Sequence, residues 1–219
     1  MGKPYAFELE QLANTYAWAM NTGIDPLVDA LSGCASLPLL ATGSGGSLTA
    51  AHLAAAFHQR YTGRMAKAVT PLEIVFLAPG FQDMAVLFLS AGGKNADIIG
   101  ALQQVVVREP RRLAVLCSRR QSPLSQLAAT YRYVDLFDFN LPGGQDGFLA
   151  TNSLLAFSVI LCRAYAQVWP IGSELPETFE VLVHPTLTHE QFGLDHGVGH
   201  FWPLSIARQR HLLHIMVWQ

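Results

Sequence analysis

The run Leu37-Pro38-Leu39-Leu40-Ala41-Thr42-Gly43-Ser44-Gly45-Gly46-Ser47-Leu48-Thr49-Ala50-Ala51 constrains this chain more than any other stretch. An apolar segment halts at a cluster of Gly and Ser, and an Ala-rich helical pattern follows at once. That order predicts a buried strand at 37–41, a tight turn, and a helix over about 46–60. A helix N-terminus leaves about four backbone N–H groups without intrahelical partners and carries a partial positive charge. Glycines at such a turn let a ligand approach the backbone closely. The turn therefore reads as an anion site.

The same alternation runs on through the chain. Residues 6–21 place Leu9, Leu12, Ala13, Tyr16 and Met20 at helical spacing, which predicts one amphipathic helix. Asp25-Pro26 has the form of an N-cap and first-turn pair, opening a second helix toward Gly33. Ala66 to Val69 reads as a short strand ending at Thr70-Pro71, while 72–81 fits either a short helix or a strand. Met84-Ala85-Val86-Leu87-Phe88-Leu89 is almost continuously apolar, as expected of a central parallel strand covered on both faces. It ends in a second turn, Ser90-Ala91-Gly92-Gly93-Lys94-Asn95, followed by a helix to about Val107. Strands are expected at 113–117 and 133–137, with a helix opened by Ser122-Pro123 between them. A long apolar helix over 147–168 follows Pro142-Gly143-Gly144. Strands alternating with helices mark an α/β fold: a doubly wound, flavodoxin-like, five-stranded parallel sheet with helices on both faces. Ligands of such sheets bind beyond the carboxyl ends of the strands, near the switch point, and both Gly/Ser turns fall at carboxyl ends.

Three familiar chemistries do not fit these turns. Gly43-Ser44-Gly45-Gly46-Ser47-Leu48 has two glycines of a dinucleotide fingerprint but Leu48 at the third. Thr70-Pro71 stands where the ribose-binding acid belongs. Gly92-Gly93-Lys94-Asn95 lacks the earlier glycine of a P-loop and ends in Asn. Ser44 has Thr42, not Gly, two residues before it, so it is not a nucleophile elbow. What remains is a phosphate or sugar-phosphate site of hydroxyls and backbone amides.

Here the residues resemble the sugar isomerase (SIS) domains. Gly43-Ser44-Gly45-Gly46-Ser47 looks like the G-x-G-x-S turn after that family's first strand. Leu89-Ser90-Ala91-Gly92-Gly93-Lys94-Asn95-Ala96-Asp97 looks like its S-x-S-G-x-T-x-D turn, which grips the sugar phosphate. Strand spacing agrees from about 37 to 140, with 147–168 as the last packed helix. The resemblance implies a bound sugar phosphate held by Gly43, Ser44, Gly45, Ser47, Ser90, Gly92, Gly93, Lys94 and Asn95. Two departures stand out: the second Ser of the phosphate turn is Gly92 and its Thr is Asn95. Lys94 adds a cation and Asn95 an amide donor.

Composition changes after Trp169-Pro170. Residues 1–169 are expected to form the phosphosugar-binding domain, and 179–219 the start of a second, truncated SIS-like unit. Glu180 to Val183 and His211 to Trp218 are its expected strands. Leu194-Asp195-His196-Gly197 resembles the E-L-K-H-G stretch of glucosamine-phosphate-synthase-type isomerase domains, with Gly193 in place of the Glu that moves a proton between sugar carbons. Aldose–ketose isomerisation needs a base beside the carbonyl. Glu190 and His196 are the candidates. Six of the eight histidines lie between His184 and His214, and His196 and His200 are four apart, but Gly197 and Gly199 weaken the helix a metal pair would need. No metal and no cofactor are expected. His52 and His58 fall on the helix after the first turn, where partly buried polar contacts are expected.

Two readings stay open from the sequence: an aldose–ketose phosphosugar isomerase, and a non-catalytic phosphosugar-sensing or assembly module. Charged residues are only 14% of the chain against 51% hydrophobic, so a homo-oligomer is expected to hide surface. A net charge of −2 gives no reason to expect nucleic acid, and the five arginines from Arg108 to Arg120 read as a solvated rim. Three dispersed cysteines in apolar contexts suit free thiols in a reducing cytoplasm. The run Phe148 to Tyr165 is interrupted by polar residues and is too short to span a bilayer, so no membrane is expected.

Overall fold

The computed structural model describes residues 4–76, 80–147, 149–169 and 175–183. Nine helices and five strands are assigned among them. Chain order is α1 (Tyr5–Glu10), α2 (Leu12–Asn21), α3 (Asp25–Cys34), β1 (Leu39–Thr42), α4 (Gly46–Thr62), β2 (Ala66–Val69) and α5 (Pro71–Phe76). Then follow β3 (Ala85–Ser90), α6 (Ala96–Val106), β4 (Arg112–Cys117), α7 (Pro123–Ala129), β5 (Val134–Asp138), α8 (Asn152–Val168) and α9 (Phe179–Leu182).

All five strands are parallel, in the order β2-β1-β3-β4-β5. The doubly wound reading of the sequence is therefore correct. Every residue of β1 and β3 is buried, because helices cover both faces of the sheet. Side-chain alternation sorts the sheet into two cores. Leu39, Ala41, Ala85, Leu87, Leu89, Ala114 and Leu116 face one core, packed by α2, α3, α4 and α8. Leu40, Val86, Phe88, Leu113 and Val115 face the other, packed by α5, α6 and α7. The chain leaves β1 toward β2 on one side and returns to β3 on the other. The carboxyl ends of β1 and β3 thus diverge, which opens a crevice at the switch point.

Local details differ from the sequence expectation. The predicted single helix over 6–21 is two helices, because Gln11 N–H bonds back only three residues, to Glu8 O at 3.2 Å. Asp25 is the first residue of α3 rather than its cap, and its side chain makes no capping bond. Residues 71–76 are helical, with Glu73 and Thr70 closing a capping box. The long helix begins at Asn152, not 147: the Asp146 carboxylate accepts from Asn152 N–H at 3.0 Å and Ser153 N–H at 2.9 Å, which fixes its start. The expected strand at Glu180–Val183 is instead a short helix, capped by the Thr178 hydroxyl accepting Val181 N–H. Its Phe179 packs on Tyr16, ring centroids 6.1 Å apart. The expected strand at 211–218 lies outside the described residues.

Candidate functional site

The first turn is shaped by close backbone approach. Gly45, immediately before α4, has φ +56° and ψ −131°, a conformation that side chains with a Cβ rarely adopt. A Cβ on Gly46 would lie 2.3 Å from the Ala150 Cβ, so the 143–151 segment sits directly on the first turn of α4. Ser47 is only 5% exposed, and its Oγ accepts the backbone N–H of Ala91 at 3.1 Å. That bond joins the two Gly/Ser turns into one wall.

The second turn folds on itself. Ser90 Oγ accepts Gly93 N–H at 3.0 Å, and Gly93 has φ +60°. A Cβ at Gly93 would fall 2.1 Å from Ser122 Oγ, so this backbone lies against the start of α7. Ser118 completes the link between turns: its N–H donates to Ser90 O at 3.1 Å and its hydroxyl to Ala91 O at 3.0 Å. Asn95 caps α6, its Oδ1 accepting from Asp97 N–H at 2.7 Å and Ile98 N–H at 3.4 Å. The oxygen of Asn95 thus serves its own helix. Ser44 is half-buried in the first turn, and Lys94 is exposed on the second.

Ser47 and Ser90 each use an oxygen lone pair to accept an amide, which leaves each O–H to donate. Together with the N-termini of α4 and α6, they make the crevice a set of donors suited to an oxygen-rich anion. Gly43, Ser44, Gly45, Ser47, Ser90, Gly92, Gly93, Lys94 and Asn95 are all brought to this one end of the sheet. Glu190 and His196 lie outside the described residues. The sequence reading missed a third wall: the segment before α8 crosses both turns, Ala150 over Gly46 and Gln145 beside Gly92, with Gln145 Nε2 3.6 Å from where a Cβ on Gly92 would stand. No local pattern signals this, because residues 145 and 150 meet the turns only through the fold.

Behind this wall lies a buried polar network. Glu8, 2% exposed, accepts the Gly147 N–H and the Thr151 hydroxyl, the latter at 3.3 Å. Asn152 Nδ2 donates to Glu8 O at 2.9 Å while its Oδ1 accepts the Thr15 hydroxyl at 2.6 Å. These bonds fasten α1 and α2 to the segment that roofs the crevice.

Other polar clusters have structural roles. His58 is fully buried; Leu37 O can only accept, so Nε2 carries the proton (2.9 Å), and Nδ1 faces the Tyr165 hydroxyl at 3.4 Å. Burial lowers its pKa, partly opposed by the Leu37 bond. His52 is exposed on α4. A groove of about 310 Å³ runs along β2 and α5, lined by Lys67, Val69, Thr70, Leu72, Glu73 and Phe76. Its Thr70 and Glu73 are already bonded to each other, so it offers a ligand fewer open donors than the two turns do. The arginines do not form a uniform solvated rim: Arg108 lies over the Phe81 ring at 5.3 Å and donates to Ile74 O and Val75 O, while Arg120 pairs with Asp138 at 3.9 Å. Among the described residues no group of three His, Cys, Asp or Glu side chains is placed to hold a metal, and no helix is long and apolar enough to cross a membrane. Cys34, Cys117 and Cys162 are free thiols.

Fold and site together define a flavodoxin-like α/β protein with a donor-lined crevice at the switch point of its sheet. The same fold is found in solved structures of sugar-phosphate proteins. They include tagatose-6-phosphate ketose/aldose isomerase from Escherichia coli (19% identity, TM-score 0.57, covering 78% of this chain and 50% of that one). Escherichia coli CFT073 c3406, solved in complex with a sugar phosphate, matches at 16% identity and TM-score 0.56, over 74% of this chain and 86% of that one. The Vibrio vulnificus NanR protein complexed with ManNAc-6P matches at 14% and 0.54, over 74% and 59%. The chain thus spans about half the length of several structures it matches. No family model and no curated protein matches the sequence. The resemblance to sugar isomerase domains read from the two turns holds at the level of fold.

Proposed function

We propose that this chain binds a sugar phosphate in the crevice between Gly43–Ser47 and Ser90–Asn95. The observation that carries the reading is the Ser47–Ala91 bond, which couples two turns 44 residues apart into one donor surface. Ser90, Gly92, Gly93, Lys94 and Asn95 lie on the phosphate side, with Gly43, Ser44, Gly45 and Ser47 toward the sugar. The two fold neighbours solved with bound sugar phosphates support the ligand class. Any catalysis would be proton transfer through an enediol, with Glu190 or His196 as the base. A non-catalytic sensing or assembly module is the second reading, favoured by Gly193 where isomerase domains of this type carry the proton-moving Glu.

A thermal-shift screen with hexose and pentose phosphates tests binding. The expected result is a raised melting temperature for at least one compound, reduced in Ser90→Ala and Lys94→Ala. No shift with any sugar phosphate overturns the reading. A turnover assay on each hit then separates isomerase from sensor. The assembly reading finds support in apolar side chains left exposed near the open β2 edge, Met65 (81%) and Phe76 (84%). Sedimentation at micromolar concentration tests it: a homo-oligomer is expected, and a monomer overturns it. A reducing, cytoplasmic setting accords with the three free thiols.

A further inference from the structure

We propose that Arg119 and Gln145 form a second arm of the crevice that holds the phosphate oxygens, replacing hydroxyls absent at positions 92 and 95. The inference deepens the sugar-phosphate reading and rests on it. The need for such an arm is visible in the second turn. Gly92 offers no side chain, Asn95 Oδ1 is committed to capping α6, and Ser90 is the turn's one hydroxyl.

Arg119 stands two residues beyond the end of β4. The preceding residue, Ser118, is bonded through its N–H and its hydroxyl to Ser90 O and Ala91 O, so position 119 is held beside the turn. The backbone of Arg119 is fixed as well, since its carbonyl accepts the Ser125 hydroxyl at 3.1 Å and lies 3.4 Å from Cys117 Sγ. The half-buried Arg119 side chain donates from Nη1 to Gln145 Oε1 at 2.9 Å. The amide nitrogen of the same Gln145 reaches to within 3.6 Å of a Cβ position on Gly92. One amide group therefore separates the guanidinium from the phosphate turn.

The partner of Arg119 is neutral, which matters electrostatically. The one ion pair among the described residues belongs to the neighbouring Arg120, with Asp138. Gln145 orients the guanidinium without neutralising it. Arginine's planar fork presents paired donors that match phosphate oxygens, and the free amide N–H groups of Gln145 extend the same donor surface. Hydrogen bonds to charged groups are the stronger class, so loss of this contact is expected to weaken binding roughly 10- to 100-fold.

Titration calorimetry on the full chain tests this. The probes are the sugar phosphate that gives the largest thermal shift, the same sugar without phosphate, and inorganic phosphate. Arg119→Gln is expected to lower affinity for the sugar phosphate roughly 10- to 100-fold, with little effect on the unphosphorylated sugar. Gln145→Leu, at an exposed position, is expected to act in the same direction, and Arg120→Gln to bind as the native chain does. Circular dichroism confirms folding of each variant. If the native chain binds no sugar phosphate, the site reading and this one both fall. If it binds and Ser90→Ala loses binding while Arg119→Gln and Gln145→Leu do not, this proposal alone falls.

Discussion

Ser47 Oγ accepts the backbone N–H of Ala91 at 3.1 Å, tying the start of α4 to the turn after β3. Ser47 belongs to a helix on one face of the sheet, and Ala91 leads into a helix on the other. The bond therefore spans the switch point and sets the width of the crevice. Ser47→Ala leaves a half-buried amide without its partner. A stability loss of about 1–2 kcal/mol is expected in urea titration, along with loss of the sugar-phosphate thermal shift. A variant with full stability and a full ligand shift would deny Ser47 its coupling role.

Gly93 is constrained twice, by φ +60° and by Ser122 Oγ 2.1 Å from its would-be Cβ. Gly93→Ala must both strain the backbone and push the cap of α7 aside. The expected cost is above about 1 kcal/mol, and ligand binding should fall with it. Gly92→Ala meets only the flexible Gln145 amide and should fold normally. Denaturation midpoints of the two variants decide the point; equal midpoints would refute it.

Glu8 buries a carboxylate that receives the Gly147 N–H and the Thr151 hydroxyl. Glu8→Ala strands both donors, and about 1–3 kcal/mol of stability should be lost. Glu8→Gln keeps one acceptor oxygen and should lose less. Because these bonds hold the segment that covers Gly46, faster proteolysis near residues 143–151 in Glu8→Ala is the accompanying readout.

His58 provides a pH signature. Its folded pKa lies below the ordinary histidine value because burial disfavours the charged ring. The unfolded chain therefore binds the proton more readily once pH falls below about 6.5, and stability drops from there toward lower pH. Above that pH both states are neutral and the effect vanishes. Melting temperatures between pH 5 and 8 should show a steeper acid-side decline for the native chain than for His58→Gln. Parallel profiles would remove His58 from the account.

Much of the fold was legible because it is written locally. The apolar runs at 39–42 and 85–90, each ending in Gly and Ser, announced buried strands followed by turns. Ser122-Pro123 opened α7 as its cap chemistry dictates, with Ser122 Oγ accepting Ser125 N–H. Errors arose where neighbours outside the segment decide. Glu180–Val183 alternates like a strand, but Thr178 caps it and Phe179 finds Tyr16, so it closes a helical turn instead. The 6–21 helix breaks where Glu8 turns inward to meet Gly147, a residue 139 positions away.

The candidate site divides the same way. Its two turns stood out by composition, since only Gly and small hydroxyl residues tolerate such close backbone approach. Arg119 and Gln145 did not, being an arginine among five and a glutamine in a loop.

By itself, then, the sequence determined the order of strands and helices and which two turns carry donors, because periodicity, capping and glycine conformation act over a few residues. The tertiary structure decided that Ser47 meets Ala91, that Gln145 lies beside Gly92, and that Arg119 keeps a neutral partner. Those pairings depend on parallel strand order and helix packing, which bring together residues tens of positions apart. No local preference encodes them.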